Sequence, residues 1–173
     1  MKNVGFTLIE LIVVLALAAL ILAFGVPGFQ NTLRTNRLVT QTNQFVGALN
    51  LARSEAIKRG VRVTLCRSAD GQSCAGSGGY DQGWIVFTED PDNPDGNGTF
   101  DRDAEELIQV ANALPAGIGI TGNRNVAASI SYTPRGSTVE LGTISACPES
   151  GSGRAIVISL AGRMRVVKKE DCS

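Results

Sequence analysis

The hydrophobic pattern of the chain begins with one long apolar segment. It runs from Phe6 to Phe24 and contains a single charged residue, Glu10. As a helix rising roughly 1.5 Å per residue it would be about 29 Å long, enough to cross the core of a bilayer. The segment therefore predicts either a secretory signal that is removed or a membrane anchor that is retained.

A second helical segment follows the sequence Gly25-Val26-Pro27-Gly28 and is amphipathic. We expect the helix to bend at Pro27 and to continue to Arg59, with Gly60 as its C-terminal cap. Its apolar residues recur at helical spacing and should pack on a globular domain. The polar residues between them, Arg53 among them, form a polar face. The apolar positions are Phe29, Leu33, Leu38, Phe45, Leu49, Ala52 and Ala56.

From Val61 the pattern changes to short strands separated by loops rich in Gly and Ser. The clearest hairpin pairs 155–160 with 163–169 through a turn at Ala161-Gly162. The predicted fold is α+β, with a long N-terminal helix packed on an antiparallel β domain. The other strand segments are 61–66, 84–88, 106–110, 129–133 and 139–144, with a further strand after the connection 114–120.

Composition narrows the possible functions. A chain of 173 residues can form one modest core besides the helix, and its 16 basic and 16 acidic residues leave no net charge. Any affinity for nucleic acid must therefore come from local clustering of cations. Histidine is absent, and the sequence has no nucleophile motif and no phosphate-binding loop, so we expect neither an enzyme nor a cofactor.

The most acidic segment extends over 89–103 and has a weak likeness to a calcium loop. Asn and Asp alternate from Asn93 up to Gly98, as in such loops. The twelfth position is Ala104, however, and Glu105 comes one place late. We interpret the segment as a solvated loop of Asx turns, with a structural Ca²⁺ site as the alternative, and predict no metal site.

The start of the chain resembles type IV pilins and pseudopilins. Their hallmark is a short basic leader ending in Gly and followed by Phe-Thr-Leu-Ile-Glu, which stands here from Met1 to Glu10. The resemblance implies that a prepilin peptidase cuts after Gly5 and methylates the new N-terminal Phe6, and that the apolar helix is retained. It divides the chain into a leader (1–5), a transmembrane and filament-core helix (6–28), an amphipathic half-helix (29–59) and a β-rich domain (60–173).

Glu10 is the unusual residue of the apolar segment, because a lone carboxylate there costs a few kcal/mol on insertion scales. The resemblance implies that it pairs with the N-terminal amine of a neighbouring subunit in the filament core. The expected partners are other pilin subunits, the prepilin peptidase and the inner membrane. The protein would cross that membrane once, with its domain in the periplasm, before assembly into a pilus or pseudopilus. A plain single-span anchor is the alternative.

The four cysteines of a domain outside the inner membrane are expected to form disulfides rather than a metal site. Three pairings are possible, and the sequence does not choose among them. We favour Cys66 with Cys74, which closes a short loop, and Cys147 with Cys172, which ties down the chain end.

The C-terminal hairpin carries the candidate chemistry. A strand period of two places Arg163, Arg165 and Lys169 on one face, with Lys168 beside them. Guanidinium groups on a hairpin suit phosphate oxygens. The order of elements also resembles the FimT and FimU minor pilins and the GspH pseudopilin, and residues 162–165 match the Gly-Arg-x-Arg motif of FimT proteins, which bind DNA in natural transformation.

The resemblance implies a minor type IV pilin that binds extracellular double-stranded DNA without sequence preference. The residues that it implies are Gly162, Arg163, Arg165, Lys168 and Lys169. In one alternative the arginines are solvated strand residues paired with nearby acids. In another the protein is a structural minor pilin or pseudopilin that primes assembly of a type IV pilus or a type II secretion pseudopilus and binds no ligand.

Overall fold

The computed structural model describes residues 7–90, 92 and 98–172, without the side chains of 24–28 and 31. Gly5 and Phe6, the predicted processing site, lie outside the described residues, as does 93–97 of the acidic segment. The chain forms two compact units, Met1–Arg37 and Leu38–Ser173. Helix α1 (Leu8–Arg59) supplies the described part of the first unit and the beginning of the second.

The start of α1 is capped by its own sequence. The Glu10 backbone N–H donates to Thr7 Oγ1 over 3.4 Å, and the Thr7 hydroxyl lies 3.5 Å from the Glu10 carboxylate. This is a Thr-x-x-Glu variant of the capping box, in which the Thr7 hydroxyl satisfies one backbone donor that the first helical turn leaves unpaired. The apolar side chains from Leu8 to Leu22 are exposed.

Within the described part of the chain, no helical segment combines the length and the apolarity needed to cross a bilayer. The membrane span expected at 6–28 therefore stays a prediction.

In the second unit, α1 buries the predicted apolar stripe from Leu38 onward, whereas Phe29 and Leu33, which precede that unit, are exposed. The ring of Phe45 lies with its centroid 5.0 Å from that of Tyr80 and 5.2 Å from that of Trp84. Such tilted and edge-on aromatic pairs add to the stability gained from burial alone. The buried apolar residues of this segment are Leu38, Phe45, Ala48, Leu49, Ala52 and Ala56.

Eight strands form two antiparallel sheets among the described residues, and the predicted α+β fold is confirmed. The first sheet has the order β3-β2-β1-β5 and the second β4-β6-β7-β8. Their bounds are β1 Val63–Arg67, β2 Trp84–Thr88, β3 Leu107–Ala111, β4 Ile118–Gly122, β5 Ser129–Tyr132, β6 Gly142–Pro148, β7 Gly153–Ile158 and β8 Met164–Lys169. Short 3-10 helices occupy Tyr80–Gln82 and Arg124–Val126.

One predicted strand, 139–144, is displaced. β6 begins only at Gly142 and continues to Pro148, while Val139 and Leu141 are about half exposed. The reason is local hydrogen bonding: the Thr138 hydroxyl contacts the Glu140 backbone carbonyl and its carboxylate and holds a bend before the strand. Short polar side chains of this kind compete with ladder formation.

The main core lies among α1 and the inner faces of both sheets. It brings together buried residues of the helix with Val63 and Leu65 of β1, Ile130 of β5 and Ile156 of β7. A smaller cluster on the other face of the first sheet contains Cys66, Ile85 and Phe87, covered by Cys74 and Phe100.

Two disulfides join the cysteines in the favoured pairs. The Cα atoms are 5.6 Å apart in Cys66–Cys74 and 5.5 Å apart in Cys147–Cys172. Inside the first loop the Asp70 carboxylate accepts the backbone N–H groups of Gln72 and Ser73. These hydrogen bonds hold the pKa of Asp70 well below its usual range.

The disulfide Cys147–Cys172 fastens the chain end beside the C-terminal hairpin, and its removal tests how much it stabilises the fold. The bridge spans 25 residues, and chain entropy gives about 3.5 kcal/mol for a loop of that length. We expect a Cys147→Ser/Cys172→Ser variant to lose roughly this free energy of unfolding, measured by denaturant titration of the full-length protein in non-ionic detergent. Ser152→Ala, in the exposed adjacent loop, is the control. An unchanged unfolding midpoint in the double variant would contradict the expectation.

Candidate nucleic-acid interface

The hairpin β7–β8 presents the candidate residues on a well-defined turn. The strands pair from Gly153 with Lys169 to Ile158 with Met164. Beyond them, the Ser159 N–H donates to the Arg163 carbonyl over 3.1 Å, and the Gly162 N–H donates to the Ser159 carbonyl over 2.8 Å. Arg163 is therefore the last residue of the turn and directly precedes β8.

The alternation of β8 divides the predicted cations between two faces. Met164 and Val166 pair with the buried residues Ile158 and Ile156, so they lie on the core side. Arg165 and Lys169 lie on the opposite side, and Arg163 continues the same alternation. Arg163 and Arg165 are exposed, whereas Lys169 is half-buried.

Lys168, expected beside this group, lies on the other face of the strand. It lies on the side of Met164 and Val166, because adjacent strand residues point to opposite faces. Its Nζ is 3.1 Å from the Glu170 carboxylate. The structure thus brings together Arg163 and Arg165, with Lys169 further along the same face.

No carboxylate in the described ranges neutralises these two arginines. The ion pairs found there join Lys58 and Arg59 to Glu55, Arg59 to Glu106, and Lys168 to Glu170. Arg163 and Arg165 take part in none of them. The alternative in which both are paired with nearby acids is therefore not seen.

Gly162 is buried and serves to shape the turn. Its φ is +70°, a left-handed conformation that side chains disfavour. A Cβ at this position would collide with the carbonyl oxygen of Gly136 and lie 3.3 Å from Arg53 Nε. The glycine of the Gly-Arg-x-Arg sequence thus allows the β7–β8 turn to pack closely on the loop after β5.

Arg53, a residue that the sequence placed only on the polar face of the helix, holds this packing together. Its Nε donates to the Gly136 carbonyl over 2.8 Å and its Nη2 to the Ala161 carbonyl over 3.2 Å. The Thr138 N–H donates to the Leu160 carbonyl over 3.1 Å and adds a direct link. No sequence signal identifies these contacts, since they join distant parts of the chain.

The charge of Arg53 also acts on its surroundings. Burial raises the pKa of the Tyr132 hydroxyl, and Arg53 opposes that rise while Glu140 adds to it. Arg53 itself is half-buried, and its hydrogen bonds to Gly136 and Ala161 place its cation against both turns.

The acidic segment has a structural use in its described part. Glu105 is buried, and its carboxylate accepts the backbone N–H groups of Asp101 over 2.8 Å and Asp90 over 3.3 Å. Burial raises the pKa of Glu105, and the charge of Glu89 adds to the rise. No group of three ligand side chains suited to a metal occurs among the residues described. The alternating residues 93–97 lie outside them.

Comparisons with known proteins identify one sequence family, one N-terminal motif and one fold. A sequence model of the type II transport protein GspH matches residues 41–162, and a prokaryotic N-terminal methylation motif matches residues 2–26. The first match ends at Gly162 and does not include Arg163 or Arg165. No curated protein matches the sequence.

A minor pilin and a minor pseudopilin are two examples of solved proteins with a similar structure. The type IV minor pilin FimU of Pseudomonas aeruginosa has a TM-score of 0.57 and 18% identity, over 78% of this chain and 90% of that chain. The minor pseudopilin EpsH from the type 2 secretion system of Vibrio cholerae has a TM-score of 0.53 and 11% identity, over 79% of this chain and 99% of that chain. At these identities the likeness shows the fold.

The packing of Gly162 leads to a test with a matched control. Gly162→Ala should destabilise the protein more than Gly151→Ala. Both glycines have positive φ, which costs a side chain about 1–3 kcal/mol, but only Gly162 faces a backbone oxygen where the Cβ would stand. Gly151 has nothing within 4 Å of that position. Thermal unfolding of both variants measures the difference, and equal losses would show that the close packing at Gly162 contributes nothing.

Proposed function

Because the chain belongs to the GspH family of type II transport proteins and has the fold of minor pilins and pseudopilins, we propose that it is a minor type IV pilin that binds DNA. In this proposal its C-terminal hairpin captures extracellular double-stranded DNA for uptake in natural transformation. One observation carries it: Arg163, at the end of an anchored turn, and Arg165, at the start of β8, are exposed and form no ion pair in the described part of the chain.

The chemistry of these side chains suits the DNA backbone. A guanidinium group forms paired, charge-assisted hydrogen bonds with phosphate oxygens, and each phosphate contact releases counterions from the duplex. Phosphate contacts position a protein on DNA but carry no sequence information. The binding should therefore be independent of sequence and sensitive to salt, as expected for a protein whose net charge is zero and whose cations act locally.

The N-terminal segment supplies the means of assembly in this proposal. Cleavage after Gly5 leaves Phe6 as the methylated terminus, in agreement with the methylation motif found over residues 2–26. The apolar residues that follow anchor the protein in the inner membrane and later pack among other subunits. Glu10 then meets the terminal amine of a neighbouring subunit in an apolar environment.

A second candidate is a structural minor pseudopilin that primes filament assembly and binds no ligand. It is favoured by the family match, which is to a transport protein of type II secretion and ends before Arg163 and Arg165.

The first test separates these two functions. We expect Arg163→Gln/Arg165→Gln to weaken binding of a fluorescent DNA duplex to the full-length protein in non-ionic detergent. Loss of two phosphate contacts should reduce the slope of log affinity against log salt by about 1.8. Lys168→Gln is the matched control on the same strand, because its side chain lies on the other face and pairs with Glu170.

The outcomes of this titration are distinct. Weaker binding by the double variant with nearly normal binding by Lys168→Gln supports the proposed surface. Equal losses in the two variants would mean that general charge, not the hairpin face, governs binding. A wild-type protein that binds no DNA would leave the structural candidate.

A separate test concerns assembly. Glu10→Ala should insert in the membrane yet enter filaments poorly, because the neighbouring amine loses its carboxylate partner. Thr7→Ala is the matched control, since it removes the hydroxyl of the helix cap but keeps the carboxylate. Immunoblots of sheared filaments and of membranes measure both forms. Normal incorporation of Glu10→Ala would refute the pairing, and an equal defect in Thr7→Ala would assign the effect to helix capping.

A further inference from the structure

We propose that the DNA surface includes a second turn, Thr133–Ser137, in which Arg135 is a further phosphate contact beside Arg163 and Arg165. This inference rests on the proposed function, because it assigns a further residue to the same DNA site. It follows from how the two turns are built and joined.

The two turns have the same hydrogen-bonding pattern. In the β7–β8 turn, Ser159 N–H bonds the Arg163 carbonyl and Gly162 N–H bonds the Ser159 carbonyl. In the second turn, Thr133 N–H bonds the Ser137 carbonyl over 2.8 Å and Gly136 N–H bonds the Thr133 carbonyl over 2.8 Å.

Each turn has a glycine in the left-handed conformation at its fourth position, Gly162 with φ +70° and Gly136 with φ +73°. A hydrogen bond between the Thr133 and Ser137 hydroxyls, 2.8 Å long, closes the second turn further. Both are therefore tight, ordered turns.

The turns lie directly against each other. The Gly136 carbonyl fills the space where a Cβ on Gly162 would stand, and Arg53 donates to that carbonyl and to Ala161. Arg135 and Arg163 are each one residue from the Gly136–Gly162 contact, and consecutive Cα atoms are only about 3.8 Å apart. The backbone thus brings together two arginines that the sequence separates widely.

Arg135 has the properties of a phosphate contact. It is exposed, follows the conformationally restricted Pro134, and forms no ion pair among the described residues. Glu140, three residues after this turn, accepts the Ser131 N–H over 3.0 Å and the Thr138 hydroxyl over 3.1 Å. Because Arg135 is exposed, its charge is accessible to a ligand in solvent.

The dimensions of duplex DNA suit such a cluster. The duplex carries one phosphate per about 1.7 Å of helix axis, so cations on adjacent turns can reach several phosphates at once. Ordered turns also reduce the loss of conformational entropy on binding. A pair of turns joined by Arg53 therefore forms a better phosphate surface than the hairpin alone.

The experiment measures DNA affinity against salt for Arg135→Gln in the full-length protein in non-ionic detergent. We expect weaker binding to AT-rich and GC-rich duplexes alike and a salt slope reduced by about 0.9, the value for one lost contact. Arg135→Lys keeps the charge and should restore most of the slope. The control is Arg124→Gln, an exposed arginine in the short helix Arg124–Val126 that forms no hydrogen bond with either turn in the described structure.

The outcomes distinguish this inference from the proposed function. If Arg135→Gln binds DNA like wild type while Arg163→Gln/Arg165→Gln loses binding, the inference is overturned and the proposed function stands. Equal losses in Arg135→Gln and Arg124→Gln also overturn it, because they show an effect of general charge. Absence of binding by wild type overturns both. If the salt slope is reduced in Arg135→Gln but not in Arg124→Gln, and Arg135→Lys restores it, the result supports the second turn as part of the DNA surface.

Discussion

The position of the basic turns depends on the guanidinium of Arg53. A guanidinium group is a planar fork, so its two bonds to the Gly136 and Ala161 carbonyls fix the separation of these acceptors as well as their directions. Arg53 itself is placed by the helix, because it follows the fully buried Ala52 and precedes Ala56 on the packed stripe. The burial of the helix on the sheets thus determines where the cations of both turns stand.

The distribution of charge is more informative than its sum. Several acidic side chains are used within the fold: Glu105 and Asp70 accept backbone N–H groups of their own loops, and Glu55 pairs with basic residues of the last helical turns. Carboxylates engaged in this way stabilise loops and do not neutralise distant cations. Exposed arginines on the turns can therefore attract phosphate although the whole chain is neutral.

The sequence predicted what depends on local periodicity. The α+β fold follows from a helical apolar repeat and from strand-like segments, and a period of two correctly separates Arg165 from Met164. The same rule places Lys168 on the far face, beside the three cations and not among them. The Thr7–Glu10 cap was not predicted, although its Thr-x-x-Glu spacing is a recognisable local signal.

The part of the site that could not be predicted depends on distant contacts. Arg53 is 83 residues from Gly136 and 108 from Ala161. Nothing in the neighbourhood of Arg53 or Arg135 in the sequence distinguishes them from other polar helix and turn residues. Their relation appears only when the two sheets and the helix are in place, because tertiary packing brings the turns together.

The proposed DNA surface, with three phosphate contacts, would have a limited affinity for DNA. Its salt slope of about 2.7 implies that a rise from about 50 to about 200 mM salt weakens binding about 40-fold. One such domain would hold DNA only loosely at physiological salt. When several copies can reach the same duplex, the second and later contacts form at a high effective concentration, and retention rises without any new type of contact. Loose phosphate binding by a filament subunit is therefore compatible with firm capture of long DNA, since a long duplex offers many equivalent sites.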